Sequence, residues 1–264
     1  RYPGGKSRAV EQILKHVPAT MTEYREPFVG GGSVFLAILG VFGTRLRRVI
    51  INDLNTDLYD FWCAARDQTE ALADAVQAYR DSYAERGRDL YQLVSNSAHF
   101  VTPFERAVRF FIGNRITFSG VTDAGGYSQQ AFDSRFTASS IERVRSLAGV
   151  LQHIEIYNED YEAVVRLPST GESVFIFLDP PYYTATGSKL YGKGGLLHTA
   201  FDHERFARVM REVDHRWLTT YDDSMHIRKL FHYAAIEEWE LQYGMNNING
   251  KNAAKGQELF ISNR

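Results

Sequence analysis

The sequence predicts an α/β protein in which a mostly parallel sheet domain is interrupted by a mainly helical insertion. Three observations carry that expectation. Strand-like apolar runs alternate with amphipathic helical segments at both ends of the chain, as βαβ crossovers require. A glycine turn, Gly30-Gly31-Gly32, separates the first strand from its helix, and an acid, Asp53, closes the next strand roughly 20 residues on. The run "VFIFL", residues 174 to 178, is short and continuously apolar, which suits a central parallel strand, and it delivers Asp179-Pro180-Pro181-Tyr182 at its end.

Each element follows in order. "RYPGGKSRAVEQILKHVP" is a Gly-rich turn and then a helix whose Val10, Ile13, Leu14 and Val17 share a face, stopped by Pro18. "YREPFVGGGSVFLAILG" gives a short strand, the glycine turn and a helix through Leu39 that Gly40 can cap. "RRVIINDLNTDLYDFW" gives a strand ending at Asn52 and Asp53. From Cys63 to Ala148 the character changes. Residues 64 to 95 are charged and helical in pattern, and "TPFERAVRFFIGNR" begins with Thr102 as N-cap, Pro103 at the first helical position and Glu105 completing a capping box. "ITFSGVTDAGGYSQQAFDSRF" is polar, Gly-rich and aromatic without a sustained period, and reads as an exposed functional loop. From Ile154 the alternation resumes with strands "IEIYN", "VFIFL" and "RWLTTY" and helices "DYEAVVRL", "DHERFARVMREV" and "MHIRKLF", and it closes on a hairpin from "AAIEEWELQY" to "QELFIS". The expected division is residues 1–62 with 149–264 for the sheet domain and 63–148 for the insertion.

Composition bounds the function classes. With 264 residues, 44% of them hydrophobic, the chain can bury one large core plus a smaller appended unit. No run approaches the ~18 apolar residues of a membrane span, and no basic-then-apolar leader precedes the first motif, although the chain opens at Arg1 rather than Met. The expectation is a cytoplasmic protein with no membrane partner. Cys63 stands alone, which excludes an internal disulfide, and the eight histidines lack metal-ligand spacing, so metal-free chemistry is expected. The net charge of -2 requires any nucleic-acid surface to be a local patch.

A glycine turn between strand and helix lets a ligand approach the backbone closely, and an acid closing the second strand can accept hydrogen bonds from ribose hydroxyls. "GGGSVF" is not G-x-G-x-x-G, so a nucleoside cofactor without a pyrophosphate fits better than a dinucleotide. Taken alone, the turn is equally a tight connection and Asp53 equally a helix cap. The run Asp179-Pro180-Pro181-Tyr182 is sharper. A carboxylate only accepts hydrogen bonds and prolines lack N–H groups, so Asp179 and the Pro180 carbonyl can together bind both hydrogens of an exocyclic amino group, while Tyr182 offers a π-face to a planar base.

"YPGGK", "EPFVGGGSVF", "INDLNTDLY", "FFIGNRITFSG", "NEDYEAV", "FLDPPYY", "TTYDDS" and "KGQELFISN" together resemble the Dam-like family of DNA adenine-N6 methyltransferases, over nearly the whole chain. The resemblance implies a Rossmann-like sheet with helices on both faces, an inserted target-recognition domain, and methyl transfer from S-adenosylmethionine to the N6 amino group of an adenine flipped out of double-stranded DNA. It places Tyr2, Lys6, Phe28, Gly30, Gly32, Asp53, Asp160, Tyr161 and Asp179 at the cofactor. Lys6 would stand near the methionine carboxylate, Asp53 at the ribose, and Asp160 at the cofactor's adenine with backbone help from Tyr161. It makes Asp179, Pro180 and Tyr182 catalytic. Taken alone, Asp160 is equally an N-cap; for Lys6 the lesser alternative is a solvated loop lysine.

DNA contact is expected from the insertion. Arg106, Arg109 and Arg115 fall along one helix, and Asn114, Arg115 and Ser119 can donate to phosphates. Phe118 sits where the family places an aromatic wedge. Ordinary surface arginines and a core phenylalanine would produce the same pattern. Where Dam-type relatives that read GATC carry a guanine-reading arginine, this chain has "VTDAGGYSQQAF", leaving Gln129 or Gln130 for adenine or Asp123 for cytosine, and the target sequence open. The rival classes are an amino-methyltransferase acting on cytosine or a protein glutamine, and a non-catalytic DNA-binding relative. No nuclease domain is recognisable, so a cognate restriction endonuclease, where one exists, would be a separate protein.

Overall fold

The computed structural model describes residues 5–120, 125–171, 173–183, 201–242 and 255–263; Tyr2 and Asp123 lie outside them. Seven strands form one sheet: β1 Glu23–Glu26, β2 Arg48–Asn52, β3 Ile154–Tyr157, β4 Val174–Leu178, β5 Arg216–Asp222, β6 Ala235–Gln242 and β7 Lys255–Ser262. Their order is β3-β2-β1-β4-β5-β7-β6. The first five pair in parallel, and β7 runs antiparallel to both β5 and β6. The expected α/β class and closing hairpin are therefore present. In this order the chain departs from the sheet centre in opposite directions after β1 and before β4, and the carboxyl ends of those two strands face the crevice where open α/β sheets place ligands.

The described helices are α1 Val10–Leu14, α2 Ser33–Phe42, α3 Thr56–Asp67, α4 Thr69–Ser82, α5 Gly87–Ser95, α6 Pro103–Ile116, α7 Gln129–Arg135, α8 Ala138–Arg145, α9 Tyr161–Val165, α10 His203–Glu212 and α11 Met225–Leu230. Alternation along the strands divides them between two layers. Tyr24, Ile51, Phe175, Phe177 and Leu218 pack with α1, α2 and the helices α3 to α8. Ile176, Leu178, Trp217, Tyr221 and Leu259 pack with α9, α10 and α11. Arg25, fully buried on β1, pairs with Glu23 and donates to the carbonyls of Val164 and Leu167, holding the carboxyl end of α9 against the sheet.

Two local expectations are corrected. The helix expected to stop at Gly40 runs on to Phe42, because Ile38 and Phe42 continue its buried face. The supposed loop after Ile116 contains α7, capped by Ser128 and anchored by buried Ala131 and Phe132, a helix too short to display a period. Residue 63, where the sequence changes character, falls inside α3, and the described helices of residues 64–145 share one apolar core with the sheet. The capping box of α6, Thr102 with Glu105, is present as read.

Candidate active site

The carboxyl ends of β1, β2 and β4 each carry an acid. After β1 the glycine turn is shaped from beneath: Trp62 Nε1 donates to the Gly30 carbonyl at 3.1 Å, Gly32 has φ 68°, and a Cβ there would stand 2.6 Å from the Trp62 ring. Only glycine fits such a position without strain. The Asp53 carboxylate accepts from Gly30 N and from Asn55 N, each at 3.0 Å, and burial pushes its pKa up to about 6. The cap of α3 is supplied by Asn55, not by Asp53. Asn52 completes the frame, its amide donating to the carbonyls of Pro27 and Glu159.

Glu26 ends β1 beside this turn, is 2% exposed, and receives the Tyr24 hydroxyl. Burial holds its carboxyl well above the usual carboxylate range, and the nearby charges of Asp179 and Asp53 push the same way. Sequence reading gives Glu26 no role. The signal was available in the same rule that found Asp53, an acid closing a strand beside the glycine turn.

At the end of β4, Asp179 Oδ1 accepts from Thr220 Oγ1 at 2.8 Å and from Lys6 Nζ at 2.9 Å. The Lys6 ammonium also stands 4.6 Å from the centre of the Tyr182 ring. Lys6 is buried, so it is no solvated loop lysine, and its ammonium stands at Asp179. Pro180, next in the chain, is buried. The Tyr182 hydroxyl donates to Glu258 on β7 at 2.8 Å and its ring stacks on Tyr221, while Tyr183 N donates to Asp222 at 2.8 Å.

An aromatic wall flanks the turn. Phe28 stacks on Tyr161 at 5.6 Å between ring centres and meets Phe201 edge-on. The Tyr161 hydroxyl is buried without a hydrogen-bond partner among the described residues. Asp160 caps α9 through Glu162 N, and its carboxylate is also held by Arg205 at 2.8 and 3.0 Å.

In the insertion the expected donors separate into two groups. Arg109 is buried, paired with Asp57 on α3 and donating to the Val94 carbonyl; Arg106 pairs with Asp60 at 2.7 Å; the Asn114 amide, also buried, donates to the Gly120 carbonyl. These three hold α6 against α3 and the turn after α6, which corrects the expectation that they face phosphates. Arg115 differs. Its Nε has no partner among the described residues, its guanidinium stacks on Phe111, and burial together with the charges of Arg143 and Arg135 lowers its pKa to about 10. Phe118 is 61% exposed, unlike a core phenylalanine. Gln129 and Gln130 are exposed at the start of α7, Gln129 bonded to Tyr127 and Asp133. Ser119 lies in the short 3₁₀ turn Phe118–Gly120, and its side chain is outside the described set. Among the described residues no group of three His, Cys, Asp or Glu side chains could hold a metal ion, and no helix is long and apolar enough to cross a membrane.

Residues 2–245 match the family described as D12 class N6 adenine-specific DNA methyltransferase. Among curated relatives, the type II methyltransferase M.MjaIII of Methanocaldococcus jannaschii is 24% identical over 82% of this chain and 80% of its own. The DNA N-6-adenine-methyltransferase of Escherichia phage P1 is 26% identical over 88% of this chain, which spans only 30% of that longer protein. The DNA adenine methylase of Salmonella typhi is 28% identical over 69% of this chain and 63% of its own. With acids closing three neighbouring strands, a proline-stiffened Asp-Pro-Pro-Tyr at the sheet's crevice and a family match across nearly the whole sequence, this chain belongs to the D12 class of N6 adenine-specific DNA methyltransferases.

Proposed function

We propose that the protein transfers the methyl group of S-adenosylmethionine to the N6 amino nitrogen of an adenine rotated out of double-stranded DNA. One observation carries the reading above the others: Asp179 stands at the end of β4 with Oδ1 held by two donors and Oδ2 accepting no bond among the described residues, beside the ring of Tyr182. An amino group needs an acceptor and its base needs a flat surface, and both are supplied at one point.

The residues fit the cofactor. Its cationic groups suit the carboxyls of Glu26, Asp53 and Asp179, which lie close enough to influence one another. The two bonds Asp53 accepts leave lone pairs for ribose hydroxyls. Phe28 and the partnerless Tyr161 hydroxyl offer an aromatic wall and one unused polar group to a nucleobase. When bound, S-adenosylmethionine supplies a methyl carbon activated by positive sulfur, and the carbon–sulfur bond breaks as the nitrogen–carbon bond forms. Asp179 Oδ2 and the Pro180 carbonyl accept the two amino hydrogens and draw the nitrogen lone pair out of the ring toward the methyl carbon. The extra proton leaves the nitrogen after transfer, so Asp179 need not be a strong base. Rate enhancement comes from positioning and electrostatics.

Duplex DNA would lie across the turn after α6. Phe118 serves as the wedge that offsets unstacking of the target base. Arg115, with Arg135 and Arg143 from α7 and α8, forms the positive patch for phosphates, while Gln129 and Gln130 are placed to read bases. Strand-specific sequencing of N6-methyladenine in DNA from cells expressing the protein tests the reading. Methylated adenine in one recurrent duplex context is expected; methylation of cytosine alone, or none, overturns it.

A further inference from the structure

The loop that carries the reacting groups has few means of holding itself in place. Pro180 and Pro181 lack N–H groups, so the backbone of "DPPYY" can donate through Asp179, Tyr182 and Tyr183 alone. Its anchors come instead from the neighbouring strands. Leu178 pairs with Thr219 in the β4–β5 register, which puts Thr220 level with Asp179. On the far side of β5, Asp222 stands opposite Glu258 of β7. From this antiparallel pair come three bonds to the loop: Thr220 Oγ1 to Asp179 Oδ1, Tyr182 Oη to Glu258 Oε2 and Tyr183 N to Asp222 Oδ1, each 2.8 Å.

Thr220 is fully buried and Glu258 is 1% exposed. A buried carboxylate has a desolvation cost that an apolar strand residue would avoid, so sheet packing alone does not account for Glu258. Its oxygen holds the Tyr182 hydroxyl, and Tyr221 backs the same ring at 6.1 Å and 25° between planes. The orientation of the ring is thereby set at its tip and from one side. Thr220 acts on the carboxylate in a comparable way. It shares Oδ1 with Lys6, which fixes the rotation of the Asp179 carboxylate and assigns the two oxygens different tasks.

We propose that Thr220 and Glu258 are positioning residues for methyl transfer: Thr220 holds Oδ1 of Asp179 so that Oδ2 receives the target amino group, and Glu258 holds the ring of Tyr182 parallel to the target base. The inference rests on the methyl-transfer reading and extends it to side chains that touch neither substrate nor cofactor. Because the bonds act through Asp179 and Tyr182, losing them should lower turnover more than it weakens cofactor binding.

The test compares Thr220→Val, which keeps shape and removes the donor, with Thr220→Ser, which keeps the donor. Glu258→Gln, which keeps an acceptor, is set beside Glu258→Met, which removes it. Kinetics on duplex DNA should give kcat about 10- to 100-fold lower for Thr220→Val, a KM for S-adenosylmethionine that changes much less than kcat, and recovery to within a few fold in Thr220→Ser. Glu258→Met should lose turnover on a paired target and regain part of it on a mismatched adenine, with Glu258→Gln much less affected. Wild-type kcat in Thr220→Val, or equal losses in the Val and Ser variants, overturns the proposal. A crystal structure of Thr220→Val reads the positioning without activity: a rotated Asp179 carboxylate is expected, and an unrotated one overturns the claim. If the wild-type protein transfers no methyl group, the enzymatic reading falls while this comparison still decides the positioning.

Discussion

The carboxyl ends of the strands and the arginine-rich helix α6 treat their charged side chains in opposite ways. At the strand ends, Asp53 and Asp179 retain lone pairs at the mouth of the crevice although protein donors hold part of each carboxylate. On α6, Arg106 and Arg109 are drawn inward to Asp60 and Asp57 of α3, and among the described residues Arg115 has no carboxylate beside it. A parallel strand ends at a defined place, so a residue following it has its location fixed by sheet order alone. A helix offers every side chain a choice of neighbours, and whether an arginine faces solvent or a distant acid depends on the packing partner.

Four substitutions and one titration can break or sharpen this contrast. The largest effect is expected from Asp179→Ala: methyl transfer lowered by at least roughly 10²–10³-fold with little change in melting temperature. An active variant would remove the acceptor role, and an unfolded one would make Asp179 structural like Arg109.

Arg109→Ala should do the reverse. The substitution removes a buried guanidinium that pairs with Asp57 and bonds the Val94 carbonyl, and a loss of about 3 kcal/mol of stability is expected by denaturant titration. Unchanged stability combined with weaker duplex binding would return Arg109 to the DNA surface.

Phe118→Ala tests the exposed side of the same region. The ring is 61% exposed, so stability should hold within about 0.5 kcal/mol, while turnover falls more than duplex affinity because the wedge acts on the flipped state. A fluorescent adenine analogue at the target site reports unstacking, and wild-type flipping would exclude a wedge.

Arg143→Ala should leave stability unchanged and reduce the slope of log K against log salt by about one unit, nearly equally on all duplexes. An unaltered slope would take Arg143 out of the phosphate patch.

The smallest effect concerns protons. Burial raises the folded-state pKa of Asp53 to about 6, above its unfolded value of about 4. Its contribution to stability is therefore fully present below about 4 and lost as pH rises through about 6. Cofactor hydroxyls favour the ionised carboxylate, so affinity for S-adenosylmethionine should increase from pH 5 to 7 in calorimetry. Asp53→Asn should flatten that dependence; an equally steep profile in the variant would assign the titration to another group.

The sequence by itself determined the strands and helices that define the sheet, the capping box at Thr102, and the placing of the glycine turn, Asp53 and Asp179, because periodicity, prolines and glycines are local properties that survive without tertiary context. Motifs spread over nearly the whole chain also carried the family. The helix over residues 129–135 escaped notice because its short buried face shows no period. Tertiary structure alone decided which charges turn inward. Asp57 with Arg109 and Asp60 with Arg106 are separated by about fifty residues and meet only when α3 packs on α6. It also brought Lys6, Thr220 and Glu258 to the loop of Asp179 and Tyr182, from a segment preceding β1 and from two strands that follow β4. Side-chain partners so distant in sequence are set by strand order and helix packing, which no local pattern of residues records.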